Sequence, residues 1–171
     1  MLVRLKPQDV VVALRLVSSK ADWTQPELAK SLHLSAGEVN HALKRLAGCH
    51  LYNARERRII RPSFLEFLLG GLRYVFPTQL GLFGEGMPTA FSVAPLSKQL
   101  RLGDGDGVVW QTIGEHARVP GRVIDPLYPT VPDAAASDPL LHEYLALADT
   151  LRVGRARERA LAGAELSKRL S

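Results

Sequence analysis

The sequence predicts a mainly α-helical protein carrying one small β-hairpin. Three observations lead there. "TQPE" at 24–27 and "SAGE" at 35–38 are both Ser/Thr-x-x-Glu boxes that open apolar repeats of helical period. "CHLYNARERRIIR" after Gly48 sets a charged turn between two short strand-like pieces. The tail "SDPLLHEYLALADTLRV" places Leu140, Tyr144, Leu147 and Leu151 on one helical stripe.

Taken in order, "PQDVVVALRLVSS" forms a first helix, with Val10, Ala13, Leu14 and Val17 on one apolar face. A second helix starts at Thr24, whose hydroxyl accepts a free backbone N–H while Glu27 reaches back to the Thr24 amide; Pro26 fits only in that first turn. Ser35 and Glu38 repeat the box, so a third helix runs from there to about Ala47, before Gly48. The candidate hairpin follows, and then "PSFLEFLLGGLRYVF" as a fourth helix with Leu65, Leu68, Leu72 and Val75 on one side. Gly70 and Gly71 in its middle each cost about 1 kcal/mol relative to alanine and allow a bend.

Residues 77–136 hold 8 of the 14 glycines and 7 of the 11 prolines, which predicts turns and extended pieces, with a short strand around Val108 to Thr112. Phe83, Met87, Phe91, Val93, Trp110, Ile124 and Tyr128 give this irregular segment apolar groups with which to dock, as core or interface. Residues 137–171 return to helix, with Gly154 as the stop between two helices. The expected organisation is a domain over 1–76, a Gly/Pro-rich segment over 77–136 and a C-terminal helical region over 137–171. That last region either forms a homodimer or meets a protein partner, or else covers its own domain.

With 46% apolar and 23% charged residues, the chain has the composition of a globular protein. No apolar run reaches the roughly 18–20 residues of a membrane span, and the start has too short an apolar region for a secretory signal, so a cytoplasmic protein is expected. The single Cys49 allows no internal disulfide and no zinc cluster. Charge is uneven: residues 1–76 carry 12 Lys+Arg against 6 Asp+Glu, whereas residues 77–136 carry 4 against 6. A basic front raises the odds of a polyanionic partner.

Helix, capped helix, break, capped helix and basic hairpin is the order of a winged helix-turn-helix. Leu28, Ala29 and Leu32 must pack against Val39, Leu43 and Leu46, with Leu34 filling the turn. Asn40, His41, Lys44 and Arg45 are then left on the outer face of the third helix, with Ala36 and Gly37 near its start. "LAKSLHLSAGEVNHALKRL", "AGCHLY" and "RERR" at 55–58 resemble the helix-turn-helix, the passage into the wing and the wing tip of MarR-type winged-helix regulators over residues 7–62. His33 stands where such proteins usually have glycine. The remainder resembles a set of uncharacterised bacterial winged-helix proteins.

The resemblance implies a DNA-binding transcriptional regulator, with double-stranded DNA as partner. Ser35, Asn40, His41, Lys44 and Arg45 would face the major groove, and Arg55, Arg57 and Arg58 the flanking backbone or minor groove. The alternative is a protein-interaction module of antitoxin-like or defence-associated kind. RNA binding ranks third, because no aromatic sheet platform is visible.

Catalysis is not expected, and no cofactor is. "DGDGVVWQTIGE" at 104–115 starts like a calcium loop, with Asp104, Asp106 and Glu115 in ligand positions, but has Val109 where the sharp turn needs glycine. The "GEG" and "GDGDG" runs lack the Lys-Ser/Thr of a phosphate loop. His33, His41, His50, His116 and His142 show no paired ligand spacing, and no G-x-S-x-G is present.

Overall fold

The computed structural model describes residues 2–112 and 116–171. The chain begins with α1 (Pro7–Ser18), α2 (Gln25–Leu32) and α3 (Ala36–Gly48), followed by a hairpin of β1 (Tyr52–Asn53) and β2 (Arg58–Ile59). Both predicted capping boxes form: Thr24 Oγ1 accepts from the Glu27 amide at 3.3 Å and Ser35 Oγ from the Glu38 amide at 3.1 Å, and each glutamate returns the bond. Between α2 and α3 the backbone of His33 adopts φ 53°, the left-handed conformation for which glycine is usual. The break is therefore built without the glycine. Leu28, Ala29, Leu32, Leu34, Val39, Leu43 and Leu46 are buried together, as their spacing predicts.

The fourth helix divides into α4 (Arg61–Gly70) and α5 (Leu72–Val75), with the break at Gly71. A Cβ there would press on Phe67 at 3.1 Å, which explains the second glycine of the pair.

The middle segment is more ordered than its composition predicts, and this corrects the irregular reading. It contains β3 (Phe83–Pro88), a 3-10 turn at Ala90–Ser92, α6 (Leu96–Gln99), β4 (Val108–Trp110), β5 (Val119–Ile124) and α7 (Val131–Ser137). The strands close on one another: β3 runs antiparallel to both β4 and β5, which pair in parallel. So small a barrel leaves no space between backbones. A Cβ on Gly86 would run into the Trp110 carbonyl oxygen, and one on Gly121 would lie 2.8 Å from that of Gly107. Glycines that read as turns are points of strand contact. Of the apolar groups expected to dock, Met87, Trp110 and Ile124 are buried and Phe83 stays exposed. Glu115, the twelfth position of the calcium-like loop, lies outside the described residues, and Asp106 Oδ2 accepts the Gly103 N–H in an ordinary turn.

Two long helices end the chain, α8 (Pro139–Val153) and α9 (Ala156–Leu170), on either side of Gly154. The predicted stripe on α8 is too narrow. Leu141, Leu145 and Ala148 are buried along with Tyr144, Leu147 and Leu151, while Leu140 stays 47% exposed. A helix buried nearly all round is a central helix. α8 packs on α1, α5, α7 and α9, and α1 in turn buries Val11 and Val12 beside its predicted face. All three expected segments thus share one hydrophobic core.

A polar network joins α8 to the barrel. Asp149, 1% exposed, accepts from Thr89 Oγ1 and Trp110 Nε1 at 2.7 Å each and from Arg152 at 2.8 Å. Next to it, His142 Nε2 lies 2.7 Å from the Pro88 carbonyl oxygen, which only accepts, so Nε2 carries the proton. Burial pushes the His142 pKa below its usual value. A histidine depressed in the folded state binds its proton preferentially when unfolded, so its contribution to stability is complete above about pH 6.5 and is lost as pH falls from there. Wild-type protein should lose stability between pH 7 and 5 by at most about 1.4 kcal/mol per pH unit from this group. Urea unfolding of His142→Gln should show a flatter pH profile; an identical profile would discard the role.

Candidate nucleic-acid interface

The outer face of α3 lies alongside the hairpin. Asn40, Leu43, Lys44 and Ala47 form one wall of a cleft of about 270 Å³, and Tyr52, Ala54 and Arg57 form the other, with Trp23 and Gln25 at the end. Among the predicted residues, His41 and Lys44 are exposed and Asn40 is half-buried. The Ser35 hydroxyl is engaged by Glu38, accepting from its amide and bonding its carboxylate, at an exposed helix start.

The hairpin turn is held from within. Asn53 Oδ1 accepts the backbone N–H groups of Arg55 (3.0 Å) and Glu56 (3.1 Å). Arg57 takes φ 53°, an uncommon conformation for a non-glycine residue. That backbone sends its guanidinium over the Trp23 ring at 4.5 Å, where it also donates to the Trp23 carbonyl oxygen at 3.0 Å. The guanidinium also bonds the Tyr52 hydroxyl, and its remaining N–H donors lie in a plane fixed by the stack. Trp23 thus positions the wing, and the sequence reading missed it. Its only signal is an aromatic residue in the connection just before a capping box.

Arg45 requires a correction. Its guanidinium is turned away from the outer face and forms a two-pronged ion pair with Asp9, at 2.8 and 2.7 Å, and Asp9 is fully buried and also accepts the Lys6 N–H. This bond holds the arginine in its charged form even more firmly than usual. Arg58 pairs with Glu56, and Arg61 donates to the Arg169 carbonyl oxygen at 3.3 Å. Lys44 and Arg55 make no side-chain hydrogen bond or ion pair among the described residues.

The surface has an acidic border. Asp22, Glu27 and Glu56 line a shallow recess on the other side of Arg57, and hydrogen bonds from Thr24 lower the pKa of Glu27, so it is ionised. Glu38, at the start of α3, is likewise held below the usual carboxylate range by the Ser35 amide and the Tyr128 hydroxyl, which donates at 2.8 Å. Between these carboxylates Lys44, Arg55 and Arg57 form a positive strip, with His41 beside it.

Among the described residues no cluster of three His, Cys, Asp or Glu side chains is placed to hold a metal ion, and no helix is long and apolar enough to cross a membrane. No family model, curated protein or solved structure matches the chain.

Proposed function

We propose that this chain is a winged helix-turn-helix DNA-binding protein acting as a cytoplasmic transcriptional regulator, with the likeness to MarR-type regulators confined to residues 7–62. The observation that carries this reading is the single cleft shared by Asn40 and Lys44 of α3 and Arg57 of the hairpin, an arrangement in which one surface meets base edges and phosphates together. α3 lies in the major groove with Asn40 and His41 toward bases. Lys44, Arg55 and Arg57 hold phosphates, and Arg58 adds a contact when it releases Glu56. The acidic border of Asp22, Glu27 and Glu56 sets the orientation, because it repels a duplex approaching from the Trp23 side.

The test is fluorescence anisotropy with random duplex and with the DNA upstream of its own reading frame, over about 50–200 mM salt, a range in which 6–10 phosphate contacts cost about 10³–10⁵ in affinity. Lys44→Ala, Arg55→Ala and Arg57→Ala should each weaken binding to every sequence and lower the salt slope by about one. Asn40→Ala should alter sequence preference instead. Unchanged affinity in all four variants removes this docking mode.

A second reading, a protein-interaction module, rests on a different observation. Tyr74 (75% exposed), Val75, Leu82 (88% exposed) and Phe83 leave a run of large apolar groups in solvent beside α5 and β3. Any homodimer or partner contact is proposed through this run and not through α8, whose apolar residues other than Leu140 are largely covered. Absence of duplex binding at low salt would leave this reading in place of the first.

A further inference from the structure

A second concentration of arginines lies outside the α3–hairpin surface and shares no lining residue with it. Between the barrel and the junction of α8 with α9 there is a cleft of about 450 Å³, within the range of small-molecule sites. Arg101, Arg122, Arg155 and Arg157 line it, and its apolar wall includes Phe91 and Leu100.

The two carboxylates in this cleft do not pair with the arginines. Asp106 accepts the Gly103 amide at 2.9 Å, and Glu158 accepts the Arg155 amide at 2.7 Å as part of the start of α9. Arg122 is anchored by donating to the carbonyl oxygens of Gly81 (2.7 Å) and Leu80 (3.2 Å), which fixes its plane at the edge of the cleft. The side chains of Arg101, Arg155 and Arg157 make no hydrogen bond or ion pair among the described residues. Three guanidinium groups without a partner among the described residues share one concavity with the anchored Arg122, in excess over the two carboxylates, and such a cluster is stabilised by an anion that accepts from several at once.

We propose that this cleft binds a small phosphorylated molecule of nucleotide size. Arg101, Arg155 and Arg157 hold the phosphate oxygens, Arg122 orients them, and Phe91 and Leu100 carry the less polar part of the ligand. The concave shape and apolar wall favour a small ligand over the backbone of a duplex, which presents a convex surface. This site does not depend on the proposed DNA-binding surface.

Isothermal titration of the full chain at about 0.15 M salt with pyrophosphate, adenosine 5′-monophosphate and adenosine tests it. Pyrophosphate and the monophosphate should saturate with Kd below about 1 mM, and adenosine should not bind detectably. A tighter monophosphate identifies a nucleotide-like ligand that uses the apolar wall; a tighter pyrophosphate identifies an inorganic one. Paired Arg101→Gln and Arg157→Gln should weaken both by about tenfold or more, and paired lysine substitutions, which keep charge but lose the planar fork, should fall between. All of these positions are exposed, so the variants should unfold at the wild-type temperature. No saturation by about 10 mM of either phosphate, or equal affinity in the glutamine variant, would overturn the proposal. So would phosphate-independent loss of duplex affinity in that variant, which would make the cleft a DNA contact.

Discussion

Arg45→Ala should destabilise the protein by about 3–5 kcal/mol, whatever it does to DNA binding, because it strands a carboxylate that has no water to turn to. Asp9 is fully buried, and its oxygens are matched to the two donors of Arg45 and the Lys6 amide. Against a typical total of about 5–15 kcal/mol, this is a large fraction of the fold. The bond joins the start of α1 to the last turn of α3, so its loss loosens the helix proposed to read DNA. Urea unfolding should show a lower midpoint with an unchanged slope. Replacing both partners, Asp9→Leu with Arg45→Met, should recover much of the loss, since an apolar pair of similar volume leaves no charge stranded. An Arg45→Ala protein of wild-type stability that no longer binds duplex would reverse the assignment and return Arg45 to the groove.

Asp149→Ala should cost a similar amount, about 3–5 kcal/mol, and should act on the joint between α8 and the barrel. The substitution leaves Trp110 Nε1, Thr89 Oγ1 and the buried Arg152 guanidinium without their common acceptor. Arg152 also donates to the carbonyl oxygens of Phe76 and Asp125, so it ties the chain entering the barrel and the chain leaving it to α8. The expected signature is a lower unfolding midpoint, with a shift in the fluorescence contributed by Trp110 before the main transition as the barrel detaches first. A loss under about 1 kcal/mol with unaltered fluorescence would show that the network adds little beyond the packing around it.

The elements legible in the sequence are those whose partners lie close by in the chain. Thr24 with Glu27 and Ser35 with Glu38 close over three residues, and α2 and α3 begin where those pairs predict. Arg45 was misread because its partner stands 36 positions earlier, where an acidic residue in a first helical turn has a sufficient local explanation. Arg57 carries no mark of the Trp23 stack for the same reason. The barrel was illegible on different grounds. "FGEGMP" lacks the alternation of a strand because Gly86 faces a backbone where an ordinary strand faces side chains, and its pairing with 119–122 spans more than thirty residues. On α8, four residues at regular spacing suggested one face, because helical spacing shows which residues are apolar but not how many neighbours surround the helix.

The shared core also bears on engineering. DNA-binding cassettes are often treated as portable units, cut from one chain and spliced to another. Here α1 is enclosed by α2 and α3 on one side and by α8 on the other, with Arg15 reaching Asp138 at the start of α8 at 3.4 Å. A graft ending at residue 76 would carry the residues of the proposed reading surface but leave the side of its first helix that packs on α8 open to solvent. A chimera built from the first part of this chain therefore needs the last helices with it.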